Sequence, residues 1–384
     1  MRSVKYNQSI LPLEFKYHFS RIKQETIQLW IDFKEKSPYA SSSQSFYELT
    51  NTLLDVVETE YIKDPEFIWI ATKAGVYSGQ LNRILENITW KFQEPFIRGQ
   101  AAFALTFKGK TTEALELLNA AETIAEKSED LEVLLELLGI KTFALTVENK
   151  YQEAIGVFIK ALQLAKEDKH LNYWLQLSRI RYAYSLLKLG YYEEATIESN
   201  NVLKIAINQG DRVYKVLAFT GLGHCLDRVK KSDDALKLYK KALDISSEIS
   251  SLNLSSIILN RIGMSIAWRK RKLEDATDYF KRSIATAQEG DADWLMYGPM
   301  ANLALIKKMT GNYFEAQELF EGVRDRAESC GIIRDQIFAY INLSDIYKEL
   351  GEKTKSIDYK NIAQDLAKTL QSEFSVDKES KEND

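Results

Sequence analysis

From about residue 95 onward, apolar and small residues return along the chain at a long, fixed period. An acidic or polar residue followed by a small one recurs at Glu113-Ala114, Glu153-Ala154, Glu194-Ala195, Asp234-Ala235, Asp275-Ala276, Glu315-Ala316 and, weakened, Lys355-Ser356. The small residues stand 40, 41, 40, 41, 40 and 40 positions apart. Seven positions after each mark come Ala121, Ala161, Val202, Ala242, Ser283, Val323 and Ala363. Eleven after it come Ala125, Ala165, Ala206, Ser246, Ala287, Ala327 and Ala367. Four after it, a bulky column reads Leu118, Phe158, Tyr239, Phe280 and Phe320, and fails at Ser199 and Lys360. Offsets of 4, 7 and 11 lie on one face of an α-helix. Upstream, the phase continues through Leu105, Leu145, Leu186 and Leu226, then turns at Gly109, Asn149, Gly190, Gly311 and Gly351, five positions before the mark. Each unit therefore predicts a first helix (helix A), a tight turn, a second helix (helix B) and a short loop.

The first 94 residues do not share this period. Helices are expected over about Leu13–Lys36, Ser45–Lys63, Pro65–Tyr77 and Gln80–Phe92. Asp64-Pro65 and Glu94-Pro95 each place proline in a first helical turn, where its missing N–H costs nothing. Ser37–Gln44 reads as a linker, and the polar stretch 372–384 as an unstructured tail. Of five prolines, four (Pro12, Pro38, Pro65, Pro95) precede Gln100, and Pro299 alone follows it, which leaves the remainder free for helices. Pro299, with Gly298, is expected near the start of helix A of the sixth unit, as a flexing point.

Composition narrows the function more than the fold. A net charge of −4 supplies no overall basic footprint for nucleic acid. Two cysteines, Cys225 and Cys330, form no disulfide framework and suit a reducing compartment. No apolar run has the length of a signal peptide or a membrane span, so a cytoplasmic chain without membrane contact is expected. His18, His170 and His224 match no metal-ligand spacing, and no catalytic motif is present. Gly221-Leu222-Gly223 falls inside a helix A, where close packing explains it better than phosphate binding. The expected protein is a binder, neither an enzyme nor a carrier of metal or cofactor.

The small–bulky–small columns resemble the tetratricopeptide repeat, over about Pro95 to Leu370, with a period near 40 instead of 34. The resemblance implies an all-α, right-handed superhelical solenoid of seven helix pairs whose A helices line a concave face. Columns 21, 14 and 7 residues before each mark are the candidate inward positions. They run from apolar residues in the first two units, through Trp174, Arg181, Lys188, Tyr214, Arg228 and Arg269, to Asn302, Asp335, Asn342 and Glu349. Trp174, Arg181, Tyr214, Arg228, Arg269, Asn302, Asp335 and Asn342 are the candidate peptide-binding residues. Carboxamides can pair with an extended backbone, arginines with a carboxylate, and Asp335 with a basic group.

A non-repeating helical segment ahead of seven such repeats is similar to the peptide-pheromone receptors of Gram-positive bacteria and their phages, the Rap and arbitrium-receptor group. ANLALIKKMTGNYFEA and INLSDIYKELGEKTKS carry the likeness. It implies a cytoplasmic receptor with Asn302 and Asn342 on a short signalling peptide. It further implies a homodimer through the repeats and a transcriptional output from residues 1–94, with residues 95–371 as the peptide-binding domain and 372–384 as a tail. A helix-turn-helix over Ile27–Lys36 and Gln44–Val57 would put DNA contacts on Lys16, Arg21, Lys23, Lys34 and Lys36, because Ser37–Ile62 holds no Lys or Arg. The alternative output is a protein target such as a response regulator, for which Gln24 and Gln28 are available.

Overall fold

The structure is a computed structural model that describes residues 24–36, 46–78, 80–87, 94–166, 168, 171–249, 251–290, 292–329 and 333–381. Four helices precede the repeats: α1 (Gln24–Lys36), α2 (Phe46–Glu58), α3 (Pro65–Ser78) and α4 (Leu81–Asn87). Asp64 caps α3, accepting the Phe67 N–H at 2.9 Å, and Pro65 opens it as the sequence predicts. Lys16, Arg21, Lys23 and the Ser37–Gln44 linker lie outside the described residues, and of Lys34 and Lys36 only their helical backbone is described.

Seven helix pairs follow. They are α5 (Pro95–Phe107) with α6 (Thr111–Ser128), α7 (Leu131–Val147) with α8 (Tyr151–Ala165), and the split helix α9 (Leu171–Trp174) and α10 (Gln176–Leu189) with α11 (Tyr192–Gln209). Next come α12 (Arg212–Arg228) with α13 (Ser232–Glu248), and α14 (Leu252–Met264), prolonged by a π-turn at Ser265–Arg269, with α15 (Leu273–Glu289). The last two are α16 (Asp293–Met309) with α17 (Tyr313–Ser329), and α18 (Ile333–Glu349) with α19 (Lys353–Lys381). No strand occurs among the described residues, and every pair packs on the next without a break in the stack.

The columns read from the sequence are the seams of this stack. Ala114, Leu118, Ala121 and Ala125 are at most 1% exposed, and the same positions of the fourth pair (Ala235, Tyr239, Ala242, Ser246) are fully buried. The turn column adopts positive φ throughout. Gly109, Gly190, Gly311 and Gly351 do so without penalty, whereas Asn149, Lys230 and Arg271 carry a side chain there.

Three features depart from the sequence reading. Pro299 lies in the interior of α16, six residues past its start, so it removes a backbone donor mid-helix instead of loosening a first turn. Helix α19 continues to Lys381, through residues expected to be unstructured. No glycine or proline interrupts the chain after Gly351.

The third departure is the place of the N-terminal helices. They pack on the first pair and also reach further along the solenoid. Trp69 of α3 stacks on Trp174, ring centroids 6.0 Å apart. The buried Lys73 ammonium lies 2.9 Å from Glu136 of α7. Asn253 of α14 donates to the Val76 carbonyl at 3.0 Å, joining residues 177 apart. Helix α16 also touches α5, so the superhelix returns toward its own beginning.

Candidate functional site

This closure turns the concave face into a cavity of about 400 Å3, within the usual range for ligand sites. Its walls are the A helices of the second to seventh pairs, from Thr146 and Val147 at the end of α7 to Asp335 and Phe338 of α18. Apolar walls come from Ile180, Leu217, Ile257 and Leu295, and polar groups converge among them.

Asn302 and Asn260, on neighbouring A helices, form a carboxamide pair in the wall. The Asn302 Nδ2 donates to Asn260 Oδ1 at 3.2 Å, and the Trp268 indole N–H donates to Asn302 Oδ1 at 3.2 Å. Arg181 lies over the Phe143 ring, its guanidinium carbon 3.8 Å from the centroid. Lys188 and Arg261 approach the Tyr184 ring at 5.6 and 5.8 Å. Burial pushes the Tyr184 phenol up, but charge and hydrogen bonding from these two cations outweigh it and hold the group below its ordinary value. Burial, followed by Arg261, Lys188, Arg228 and Arg269, keeps His224 well below the ordinary histidine range, so the imidazole is neutral at pH 7. Across the cavity, burial pushes the Asp335 carboxyl up to about 6, against the pull of Lys188 and Arg334.

The eight sequence candidates separate in the structure. Arg181, Asn302 and Asp335 line the cavity. Arg228 and Arg269 line a smaller adjoining pocket. Trp174 and Tyr214 are buried at 6% and 5% exposure, Trp174 between α3 and the solenoid, and neither lines the cavity. Asn342 is also buried, accepting from Lys308 at 3.2 Å and donating to the Phe338 carbonyl at 2.9 Å.

Tyr184, His224, Asn260 and Arg261 line the cavity and belong to none of the three inward columns. The cause of the Arg261 omission is visible in two glycines. Gly223 and Gly263 each abut a buried ring, Tyr239 and Phe280, at the same 2.6 Å from an added Cβ. They are 40 residues apart, while their marks Ala235 and Ala276 are 41 apart. The extra residue falls after Gly263, where the π-turn lies. Counting back 14 from Ala276 therefore lands on buried Ile262 and passes over its inward-facing neighbour Arg261. Gly221-Leu222-Gly223 is mid-helix in α12, and Gly223 serves packing against Tyr239 as expected.

No curated protein sequence matches the chain. The tetratricopeptide repeat family model matches residues 339–361, the hairpin between α18 and α19. Stacked pairs, positive-φ turns and this match together define an all-α tetratricopeptide-type solenoid. Its architecture is that of the Rap proteins. A crystal structure of a Rap protein complexed with competence and sporulation factor superposes with a TM-score of 0.57, at 16% identity, over 91% of this chain and 99% of that one. The structure of aspartyl phosphate phosphatase F from Bacillus subtilis superposes with a TM-score of 0.50, at 16% identity, over 92% of this chain and 87% of that one. Among the described residues, no helix is long and apolar enough to cross a membrane.

Proposed function

We propose that this chain is a receptor that holds a short linear peptide in the cavity of its repeats and passes its occupancy to α1–α4. The observation that carries the reading is the cavity itself: six successive A helices wall one space and place paired carboxamides and charges of both signs inside it. An extended peptide presents an N–H or C=O at every step, which Asn260 and Asn302 can pair with by exchanging their mutual hydrogen bond. The Rap structure with a similar fold was solved in complex with competence and sporulation factor, which supports the same reading.

The N-terminal helices are the natural output because they touch the solenoid where the cavity closes. A transcriptional output is the reading we favour, through DNA contacts of the basic stretch up to Lys36, with a homodimer formed through the repeats. The second reading is a protein target such as a response regulator. It is favoured by the phosphatase-named neighbour, whose fold this chain shares.

Titration calorimetry of the full chain with pooled synthetic hexapeptides tests the receptor reading. Asn302→Ala should weaken the best binder by about one to two orders of magnitude, since a truncated carboxamide leaves buried ligand groups unpaired at a cost of roughly 1–3 kcal/mol. Lys240→Ala, on the outer face of α13, should change nothing. Absence of binding from every pool rejects the receptor. A genomic DNA-fragment retention assay, with and without the peptide, separates the two outputs. Retention that is lost when Lys34 and Lys36 become Gln supports DNA, and no retention removes that arm.

A further inference from the structure

Beside the main cavity, α12 and the end of α14 enclose a pocket of about 70 Å3. It shares His224, Arg261 and Met264 with the cavity wall, so a chain lying in one can end in the other. We propose that this pocket is a carboxylate subsite in which Arg228, Arg261 and Arg269 receive an acidic group of the bound peptide. This inference rests on the peptide-receptor reading and names the ligand chemistry of that site.

Three guanidinium groups line one small pocket, and among the described residues none of them forms an ion pair with a carboxylate. Arg228 instead donates to the Tyr192 hydroxyl at 3.3 Å, and Arg261 lies near the Tyr184 ring and the Met264 sulfur. The pocket also contains one acid, Asp227, which interacts electrostatically with Arg269 without pairing to it directly. Asp227 is 6% exposed and accepts from the Tyr239 hydroxyl at 3.1 Å and the Ser265 hydroxyl at 2.8 Å. Three guanidinium groups against one carboxylate leave the pocket with an excess of positive charge that an anion from outside can offset. Like charges gathered around one pocket repel one another, and an incoming anion relieves that repulsion.

The remaining walls suit a carboxylate at the end of a chain. Neutral His224 adds no fourth charge and can donate one hydrogen bond. The Trp268 indole forms an apolar side and connects through its N–H to Asn302, so the subsite and the carboxamide pair are one continuous surface. Guanidinium groups match a carboxylate in planar, two-pronged geometry, which distinguishes this pocket from one that merely tolerates anions. The pocket volume accommodates a carboxylate and its adjoining carbon.

Two pools of random hexapeptides test the proposal, one with free C-terminal carboxylates and one amidated, each passed over the full chain and the retained peptides sequenced. Retention from the free-acid pool, lost on amidation of the retained sequences, identifies the terminal carboxylate as the occupant. Retention from both pools with enrichment of Asp or Glu at one position identifies an acidic side chain in the same subsite.

In either case, amidating or neutralising that group should weaken binding at least tenfold, and Arg261→Gln should bring the two forms to within about twofold of each other. Arg269→Gln, at an exposed position, is the second variant should Arg261→Gln lower the helix content measured by circular dichroism. Retained peptides that bind equally well with every carboxyl neutralised, in wild type and both variants, would overturn the subsite and leave the receptor standing. No retention from either pool overturns both.

Discussion

Lys73 shows how much a single side chain can bear on the architecture. Its ammonium is buried between Trp69 and Trp174, 5.8 and 5.4 Å from their centroids, and paired with Glu136, which also accepts from Gln100 at 2.9 Å. Removing one partner of such a pair strands the other charge in a low dielectric, so Lys73→Met should cost about 3–5 kcal/mol, and Lys73→Met with Glu136→Leu much less. Chemical denaturation of the two singles and the double gives the coupling directly. Asp335 makes a pH-dependent contribution of opposite sign to the usual surface carboxylate. Its folded value of about 6 lies above the ordinary 3.8, so the folded state binds the proton more tightly. Its contribution to stability is therefore full below about pH 4 and is lost as the pH rises to about 6. Asp335→Asn should flatten that loss and raise stability at pH 7 by on the order of 1–3 kcal/mol, read from denaturation midpoints at pH 4 and 7. A peptide that places a cation on Asp335 should bind more tightly at pH 7 than at pH 5 in wild type, and equally at both in the variant.

At the scale of elements, the turns and the helix seams make separate demands. Arg271, the first residue after Lys270 at the end of the π-turned helix, has φ 57°, where four of its six repeat-mates (Gly109, Gly190, Gly311 and Gly351) have glycine. Arg271→Gly should stabilise the fifth pair by about 0.5–1 kcal/mol, the relieved left-handed strain being partly offset by a looser unfolded chain. Gly263→Ala acts in the other direction. Its new Cβ would stand 2.6 Å from the fully buried Phe280 ring, and overpacking of this kind costs about 1–3 kcal/mol. Thermal melts of the two variants should move oppositely. The seams were legible in the sequence because burial recurs on one helix face, and the glycine column because αL turns select it. The inward face was only partly legible. A uniform count assumes that every helix A has the same number of residues between seam and turn, and the π-turn at Ser265–Arg269 breaks that assumption.

At the scale of the whole molecule, function depends on the solenoid returning on itself. The Asn253 side chain holds the Val76 carbonyl across 177 residues, with both groups in the buried junction between α3 and α14. Asn253→Ala should leave each repeat folded, since repeats are stabilised mainly by their neighbours. It should loosen the closure, however, seen as an increased radius of gyration by small-angle scattering and a weaker peptide affinity. An unchanged radius and affinity would show that the remaining contacts of α3 suffice. By itself the sequence determined the all-helical class, the seven pairs, their seams and their turns. Each of these depends on contacts within a repeat or between adjacent repeats, and a 40-residue period records such contacts directly. Only the tertiary structure decided that Trp174 packs against α3 and not in the cavity wall, that Arg261 faces the cavity, and that Lys188 and Asp335 act on each other across it. Those relations arise from the rotation accumulated over several repeats and from contacts between distant segments, and no local period encodes either.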